Sequence, residues 1–490
     1  MKELAIFGQG VFADVENITR QRRLNCFYDI RVDQDKHATV VRNTPGSTLA
    51  YTLATSPIRG WLVVGSLLYI VAGAKLYSVN SSNTVTTLGS LGTFTGLVGM
   101  SDNAVQLLIV DGVAGYCYTI VTGSYAQAAL NTAGAFAAIT DGNFPNGATT
   151  TAFFDGRNIV ERAGTRQYYC SQSYDVTGWT NSASLPTYAT KDNYSDTLLT
   201  VDVLNGTLIL SGGSSLEFWQ DVGSSPLPFA RVNGATQTVG LAAVNSRAAF
   251  NNTLAFLGKS KQGGVQVFTL NGYTPTRIST SDIEDLVSSF STYSDAIALT
   301  YTSHGHPMYQ LTFPTANRTL VYDGLTGFWN EAQTGLALLN RHFGNIGVVF
   351  NGINYLSDST TGNVYKLDDR VFTDNGTYIK RQLVTRHVHT GGNMFNISEL
   401  FLDMETGEGL QVGQGSDPQI MLQISRDNGH TFGVEKWASM GAVGLYRTRV
   451  IWRRLGAAED FVFKFTITDP VQFAIIHAAA VIEQGEGLNG

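Results

Sequence analysis

The chain has 490 residues, of which 43% are apolar and only 14% are charged, and its formal net charge is −7. This composition is too apolar for a disordered chain and too poor in charge for a coiled coil. The negative balance argues against a protein that coats DNA, because such binding needs a cationic surface. The 52 glycines, 21 tyrosines and 26 phenylalanines, with only 11 prolines, are typical of an all-β protein with many turns.

Residues 1–45 carry more charge than the stretch that follows, and they alternate between strand-like and turn-like segments. The sequence Asn-Thr-Pro-Gly at 43–46 is a strong turn signal. We therefore place a boundary there and expect residues 1–45 to be N-terminal strands that pack with the C-terminal domain. The first residues show no apolar core of signal-peptide length, so we expect synthesis inside the cell.

Residues 46–370 contain a degenerate repeat of an Asn/Asp-Gly-like turn, an apolar strand, a polar turn and a strand ending in an aromatic residue. Five copies begin at residues 65, 155, 205, 251 and 351, and two weaker copies begin near 103 and 305. The spacing is about 48 residues, which is typical of β-propeller blades. The sequence therefore predicts a propeller of six or seven blades.

Two segments interrupt this repeat. The stretch Ala126–Thr151 is rich in Ala, Gly, Thr and Asn and is predicted to be a long loop. Residues 279–293 are predicted to form the one short helix, with an N-cap from Ser279–Ser281 and an apolar stripe of Ile283, Leu286, Val287 and Phe290.

Residues 371–490 change character, because longer strands alternate with Gly-rich and Asp-rich turns. This pattern predicts an antiparallel β-sandwich of about six strands. The predicted strands are 378–389, 397–404, 419–425, 447–455, 461–468 and 471–482.

The segment that begins at Ser425 fits the pattern S-x-D-x-G-x-T-F, similar to the Asp-box of sialidase-type propellers. Asp427 can accept hydrogen bonds from turn amides, and Gly429 can adopt a positive φ. We interpret these two residues as a structural turn, since a single copy outside the repeats is weak support for glycosidase chemistry.

Other polar residues give no pattern that predicts catalysis, a cofactor site or a metal site. The pairs His304/His306 and His387/His389 have the i,i+2 spacing of one strand face, but no further ligand lies at a familiar distance along the chain. Asp403, Glu405 and Glu408 are the nearest candidates for paired catalytic carboxylates, and a retaining glycosidase needs such a pair about 5 Å apart. The three cysteines, Cys26, Cys117 and Cys170, are predicted to be buried and unpaired.

Four arginines lie within eight residues of a chain that is otherwise poor in charge: Arg447, Arg449, Arg453 and Arg454. Strand alternation places Arg447, Arg449 and Arg453 on one face, with Val450 and Trp452 on the other. A subunit or partner interface and a solvated strand face both fit this pattern, and contact with DNA phosphates is a third option.

Short motifs in a shared order give the chain a family likeness. It resembles the tail-hub, or tail-nozzle, proteins of short-tailed bacteriophages, also called packaged-DNA stabilisation proteins. The Ala126–Thr151 loop and the Gly407–Asp417 turn have no counterpart. The motifs that carry the likeness are Asn25–Tyr28, Arg42–Gly46, Leu216–Trp219, Pro228–Arg231, Arg277–Thr280 with the helix after it, Leu320–Asp323 before Phe328 and Trp329, Ser425–Gly429, Arg449–Gly456 and Phe463–Phe465.

The resemblance implies a structural protein of the virion tail, made in the host cytoplasm, with no enzyme activity and no cofactor. It implies a homo-hexameric ring below the portal and its adaptor ring that extends the DNA channel, retains the packaged genome and supports its ejection. The implied partners are the adaptor ring, tail fibres or spikes, a channel plug, and double-stranded DNA that passes without specific binding. No stable membrane insertion is implied. We expect sandwich-to-sandwich contacts in the ring and an acidic lumen that repels phosphates.

A glycan-binding or sialidase-like propeller that acts in receptor recognition is the alternative. The propeller repeat, the many tyrosines and the Asp-box motivate it. A sialidase should carry an arginine cluster with a Tyr–Glu pair at the centre of the propeller.

Overall fold

The computed structural model of the chain describes residues 2–4, 21–30, 39–180, 185–225, 227–260, 262–337 and 340–484. Parts of the two predicted terminal domains, residues 5–20, 31–38 and 485–490, lie outside the described residues. The first strands are β1 (Lys2–Leu4), β2 (Arg22–Leu24), β3 (Cys26–Ile30), β4 (Thr39–Asn43) and β5 (Gly46–Thr52).

The middle of the chain folds into seven antiparallel sheets, named here blades 1 to 7. Blade 1 contains β6 (Ile58–Val64), β7 (Leu67–Ala72), β8 (Lys75–Val79) and β9 (Val85–Ser90). Blade 2 contains β10 (Gly99–Asp102), β11 (Gln106–Val110), β12 (Gly115–Thr119) and β13 (Phe136–Ala138). Blade 3 contains β14 (Thr151–Phe154), β15 (Arg157–Glu161), β16 (Gln167–Cys170) and β17 (Thr187–Thr190). Blade 4 contains β18 (Leu198–Leu204), β19 (Thr207–Gly212), β20 (Leu216–Asp221) and β21 (Phe229–Arg231).

Blade 5 has a divided inner strand, because β22 and β23 both pair with β24. It contains β22 (Val239–Leu241), β23 (Ala248–Phe250), β24 (Thr253–Ser260), β25 (Gly263–Asn271) and β26 (Thr274–Arg277). Blade 6 contains β27 (Ile297–Ser303), β28 (His306–Phe313), β29 (Arg318–Asp323) and β30 (Trp329–Glu331). Blade 7 contains β31 (Gly347–Phe350), β32 (Ile353–Ser357), β33 (Asn363–Asp368) and, as its outer strand, β5 from the N-terminal part of the chain.

The blades form a closed ring, in which blade 7 contacts blade 1 through β31 and β6. One apolar cluster fills each of the seven junctions between neighbouring blades. In β7, for example, Leu68 and Ile70 face blade 7, whereas Tyr69 and Val71 face blade 2. Because both faces of such a strand are buried, the repeat shows continuous apolar runs rather than alternation. The predicted propeller is confirmed, with seven blades among the described residues.

The seven repeat starts coincide with the turn between the first two strands of each blade. Asp155, Asn205, Asn251 and Asn351 have φ between 45° and 51° at these turns. Asparagine and aspartate tolerate this left-handed region better than other non-glycine residues. The turn chemistry therefore explains why the Asn/Asp-Gly signal marks each blade.

Two sequence predictions need correction in this region, and one further element was not predicted. The helix α1 spans Ser281–Ser288 rather than 279–293, and its N-cap residue Thr280 makes no side-chain cap hydrogen bond. The predicted long loop at 126–151 contains a 3₁₀ turn, Ala128–Leu130, and the strand β13. A second 3₁₀ turn, Val244–Ser246, precedes β23.

The C-terminal region adds ten strands, of which β36 to β43 pair into the two sheets of a sandwich and β34 and β35 extend the blade 7 sheet. Their bounds are β34 (Thr373–Asp374), β35 (Thr377–Tyr378), β36 (Arg381–Val384), β37 (Val388–His389), β38 (Phe395–Met404), β39 (Gln419–Ser425), β40 (Lys436–Ser439), β41 (Val450–Ala458), β42 (Asp460–Ile467) and β43 (Ala474–Gln484). The single strand predicted at 378–389 is divided, the strand predicted at 447–455 begins at Val450, and β40 was not predicted. The aromatic and aliphatic core between the two sheets confirms the β-sandwich.

The N-terminal strands belong to both domains. One sandwich sheet has the order β3-β4-β43-β38-β41, with β1 also pairing β43. The other has the order β2-β36-β42-β39-β40, and β2 also pairs in parallel with β30 of blade 6. Blade 6 and this sandwich sheet are consequently one continuous sheet of ten strands when β37 is included.

Candidate functional site

The inner strands of the seven blades surround a central channel of about 800 Å³. Small side chains and backbone form most of its wall, including Gly60, Gly99, Ala298 and Gly347. Trp61 lies on the wall, where its indole N–H donates to the carbonyl of Gly347 (3.0 Å) and links blade 1 to blade 7. The channel is therefore held open by a rigid, closed ring.

Arg59 is the most enclosed charged group of this wall, with 1% of its surface exposed. Its guanidinium donates to the carbonyls of Gly73 (3.0 Å), Thr93 (2.9 Å), Thr95 (2.8 Å) and Gly96 (2.6 Å). Burial lowers the pKa of Arg59, although the charge of Asp111 opposes this shift. With its donors occupied by carbonyls, Arg59 braces a loop and is not presented to a ligand.

The sialidase-like arrangement is not found among the described residues that line the channel. The wall carries two arginines, Arg59 and Arg247, and Arg247 forms an ion pair with Asp202. No tyrosine and no glutamate belongs to that described lining.

The junction between blade 6 and the sandwich holds several buried polar groups that sequence reasoning missed. Arg23 donates to the side-chain oxygen of Asn330 (2.6 Å) and to the carbonyl of Trp329 (2.9 Å), and its guanidinium lies 4.3 Å from the ring centre of Tyr28. Asn25 donates to the carbonyls of Gln333 (3.0 Å) and Lys380 (2.8 Å). These contacts tie β2 to both domains, and no local sequence signal marks them.

His306 lies at the same junction and is almost fully buried. Its Nδ1 is 2.8 Å from Asp323, and its Nε2 is 3.6 Å from Asp29, which also pairs with Arg42 (2.6 Å). Burial alone would lower the pKa of His306, but the hydrogen bonds and charges of Asp323 and Asp29 outweigh it and raise that pKa. His304 instead occupies the preceding turn with φ 49°, so the two histidines do not share a strand face as predicted.

The second histidine pair is also divided by the structure. His387 precedes β37 and contacts Asp460, whereas His389 belongs to β37 and is exposed. Within the described ranges, no three His, Cys, Asp or Glu residues lie together as a metal site would require.

The remaining candidate polar residues are dispersed. Asp403 lies in β38 opposite His477, Glu405 accepts from Gln472 (3.3 Å), and Glu408 is exposed in the following loop. The three cysteines are buried and free, and burial raises the pKa of each thiol to about 12.

The Asp-box segment is the turn that joins β39 to β40. Asp427 accepts from the Ser425 hydroxyl (2.6 Å) and from the Thr431 amide (2.9 Å). These hydrogen bonds, first from Ser425 and then from Thr431, lower the pKa of Asp427. Gly429 has φ 89° and donates its amide to Ser425 Oγ (2.9 Å), so both predicted turn residues organise the hairpin.

The four arginines are exposed, but they do not lie on one strand. Arg447 and Arg449 precede β41 and lie in the loop that ends at Val450. Arg453 pairs with Glu399 of β38 (2.7 Å), and Arg454 has φ 57°, which interrupts the regular strand. The predicted single face of Arg447, Arg449 and Arg453 is therefore wrong, because the strand begins at Val450.

An exposed apolar surface adjoins Arg447 and was not predicted. It is named here the sandwich tip and is built on the loops 405–417 and 440–449. Its apolar residues lie in two glycine-rich loops, and this composition is the only sequence signal that could have indicated it. Its side chains are 40–80% exposed, and they are Leu410, Val412, Val443, Leu445 and Tyr446.

Two family models together match nearly the whole chain. The model described as "Bacteriophage P22 Gp10, beta-propeller" matches residues 29–372, and the one described as "Bacteriophage P22 Gp10, beta-sandwich" matches residues 380–483. No curated protein sequence matches the chain. In the part of the chain that the structure describes, no helix has the length and apolar character needed to cross a bilayer.

Solved structures share only a distant likeness. The extracellular domain of the two-component system protein BT4673 from B. thetaiotaomicron has a TM-score of 0.42 at 11% identity, over 66% of this chain and 39% of that one. The N-terminal domain of Nup159 has a TM-score of 0.38 at 10% identity, over 69% of this chain and 98% of that one. PorZ of Porphyromonas gingivalis has a TM-score of 0.38 at 9% identity, over 71% of this chain and 44% of that one. The chain thus spans well under half of the first of these proteins, and likenesses this weak bear on neither its function nor its partners.

Proposed function

The chain belongs to the family of bacteriophage P22 Gp10, the tail-hub proteins of the phage tail, and from this premise we propose that six copies form the hub of a short tail. The ring would lie below the portal and the adaptor ring, extend the DNA channel, retain the packaged genome and support its ejection. The observation that carries the proposal is the agreement of the two family matches with the two domains of this fold.

The size of the propeller channel supports a ring of several copies. A volume of about 800 Å³ is that of a small-molecule pocket. A channel of this size is too small for a DNA duplex to pass, because the major groove of the duplex is by itself about 12 Å wide and 8.5 Å deep. A DNA path in a tail hub must therefore run between copies of the chain.

The charge of the chain supports a passage that does not hold DNA. A formal charge of −7 makes each copy anionic overall, and an anionic lumen in the proposed ring would repel phosphates. The proposal accordingly includes neither specific DNA binding nor an enzyme activity. The proposed partners are the adaptor ring, fibres or spikes and a channel plug.

The test is the mass of the purified full-length protein, measured by light scattering, alone and mixed with the adaptor ring of its virion. We expect six copies to join one adaptor ring. A protein that ignores the adaptor ring, or that forms a trimer, would overturn the hub. Binding or cleavage of host polysaccharide by such a protein would then favour the glycan-acting alternative.

A further inference from the structure

The sandwich tip brings together the exposed apolar side chains of the neighbouring loops 405–417 and 440–449. Val412 is 80% exposed, and Tyr446 and Leu445 are 68% and 58% exposed. Contiguous apolar patches of this kind on a soluble protein mark interaction sites. The adjoining Arg447 and Arg449 add the residue type that, with tyrosine, is most enriched at the centres of protein interfaces.

Backbone hydrogen bonds hold the two loops of the tip together. The Gly407 amide donates to the Met440 carbonyl (3.1 Å), and the Gly444 amide donates to the Gly407 carbonyl (3.0 Å). The Thr406 hydroxyl donates to the Tyr446 carbonyl (3.2 Å). The apolar side chains therefore project from a braced frame, which reduces the conformational entropy that a partner must remove.

The neighbouring sheet edges are protected against strand addition. β40 and β41 are the outer strands of the two sandwich sheets. Arg454 interrupts β41, the Arg426 guanidinium donates to the Leu455 carbonyl, and the Trp452 indole donates to the Lys436 carbonyl (2.8 Å). Such devices block edge-to-edge pairing, so a partner must meet the side chains of the tip instead.

A pair of carboxyl groups, with Arg157 near one of them, lies beside exposed apolar side chains at the turns of blades 3 and 4. The carboxyl groups of Asp155 and Asp221 are close enough to hydrogen bond, and this contact raises the pKa of Asp155. Tyr174, whose amide donates to the Gly156 carbonyl (2.7 Å), is 55% exposed beside them, and Val222 is 48% exposed. Two like charges held together would gain from a neighbouring guanidinium.

The two surfaces lie on opposite sides of one chain. The sandwich is joined to blades 6 and 7, and blades 3 and 4 are two or three positions away around the seven-bladed ring, in which three is the largest separation. A head-to-tail contact between such surfaces is heterologous, and a heterologous contact generates a closed ring where its rotation closes and an open filament where it does not.

We propose that the sandwich tip of one copy docks on the turns of blades 3 and 4 of the next copy, with Arg447 and Arg449 facing Asp155 and Asp221. Tyr174 and Val222 would meet the apolar side chains of the tip. This inference rests on the proposed ring and replaces sandwich-to-sandwich contacts with a sandwich-to-propeller contact.

The first experiment is a charge swap in the full-length chain, with sedimentation velocity alone and on the adaptor ring as the readout. Arg447→Glu with Arg449→Glu, and separately Asp155→Asn with Asp221→Lys, should each weaken assembly about tenfold or more, because like charges would then face each other. A chain that carries all four changes should recover most of the loss. Recovered assembly in this fourfold variant cannot arise from misfolding. If the fourfold variant assembles no better than the double variants, the proposed pairing is overturned.

The second experiment tests the apolar part of the contact. Leu445→Ser with Tyr446→Ser should abolish assembly, whereas Leu325→Ser with Phe94→Ser should leave it unchanged. The control pair is matched, since Leu325 and Phe94 are 60% and 68% exposed on the propeller. Equal assembly of the tip variant and the wild type would overturn the docking site.

The outcomes separate this inference from the proposed function. If the wild-type chain does not associate, either alone or on the adaptor ring, both the proposed ring and the proposed docking contact are contradicted. A wild-type chain that assembles while all variants assemble equally well sinks only the contact. Vesicles of phosphatidylglycerol test a different occupant of the tip. If wild type binds them, the tip variant does not, and both assemble equally well, the tip is a membrane site and the inference is overturned.

Discussion

At the scale of single residues, His306 is an ionisable group enclosed by the two domains. Asp323 comes from blade 6, whereas Asp29 and its partner Arg42 come from the N-terminal hairpin that pairs with the sandwich. The positive charge of a protonated His306 is therefore shared between two carboxylates that belong to different parts of the fold. Such a group links the stability of the junction to pH.

We expect the contribution of His306 to stability to decrease as pH rises. Its folded-state pKa is raised above the unfolded value of about 6.5. The contribution should thus be complete below the unfolded pKa and lost as pH passes the folded pKa. The free energy of unfolding by urea, compared between wild type and His306→Gln at pH 5.5, 7 and 8.5, should differ most at pH 5.5.

His304 provides a control of opposite sign. Burial lowers the pKa of His304, the opposing charge of Asp369 notwithstanding. Folding therefore favours the neutral form of the His304 side chain. The free energy of unfolding of His304→Asn, relative to that of wild type, should decrease as pH rises from below the folded pKa of His304 to above its unfolded pKa. An advantage of wild type over His306→Gln that grows with pH would contradict the role assigned to His306.

Residues in turns were predictable and buried junction residues were not. Asn205 and Asn351 indicate a left-handed turn, because asparagine tolerates a positive φ and a glycine follows each of them. His306 shows only an i,i+2 spacing to His304, and its partner Asp29 is far away in the sequence. The pairing exists because β3 returns to blade 6, and no local pattern contains that information.

At the scale of elements, β2 is a three-residue strand that joins two domains. It pairs with β30 in parallel and with β36 in antiparallel fashion. The sequence predicted extended structure here, but parallel pairing with a strand some 300 residues later depends on tertiary packing. The strands β13 and β40 were missed for a different reason, because both are short and carry weak strand signals.

We expect Arg23→Ala to uncouple the two domains. The change removes the charged donor to Trp329 and Asn330 inside a buried junction, and it should destabilise the chain by about 3 kcal/mol. Calorimetry should show one main unfolding transition for the wild type and two for the variant. Exposed Arg162→Ala serves as the control, and a single, unshifted transition in the Arg23 variant would contradict the coupling.

The closing strand of the propeller gives a second test at this scale. Gly46 begins β5, and a Cβ atom there would lie 2.4 Å from the Val371 carbonyl oxygen and 2.5 Å from that of Thr373. Gly46→Ala should therefore destabilise the chain by about 2 kcal/mol, because backbone must move. Thermal unfolding of Gly46→Ala and of Gly142→Ala, where a Cβ meets nothing within 4 Å, would separate this clash from a general glycine effect.

At the scale of the whole molecule, the sandwich is not a contiguous piece of the chain, and within the propeller blade 7 is built from the first and the last propeller strands. Blade 7 takes its outer strand from β5, and the sandwich takes β1, β2, β3 and β4 from the N-terminal part. The period of the repeat predicted the propeller, since every blade repeats the same buried strands. The tip was missed because its apolar residues lie in two glycine-rich loops and follow no strand or helix period.

A fragment of residues 371–490 should fail to fold alone, because four strands of its two sheets are absent. Addition of residues 1–45, either in trans or through a short linker to the fragment, should restore a soluble β-rich domain. Circular dichroism and analytical size exclusion of the fragment with and without that segment are the measurements. A fragment that folds without residues 1–45 would show that these strands are dispensable.

The placement of β5 has a consequence for synthesis on the ribosome. This strand emerges early, but its partner β33 is made more than 300 residues later, so the ring of blades stays open until almost three quarters of the chain exist. The pairing of β4 with β43 postpones completion of the sandwich until β43 has been translated. Folding of this protein must be largely post-translational, and a prematurely terminated chain would present open sheet edges to chaperones and proteases instead of a surface that can join a virion.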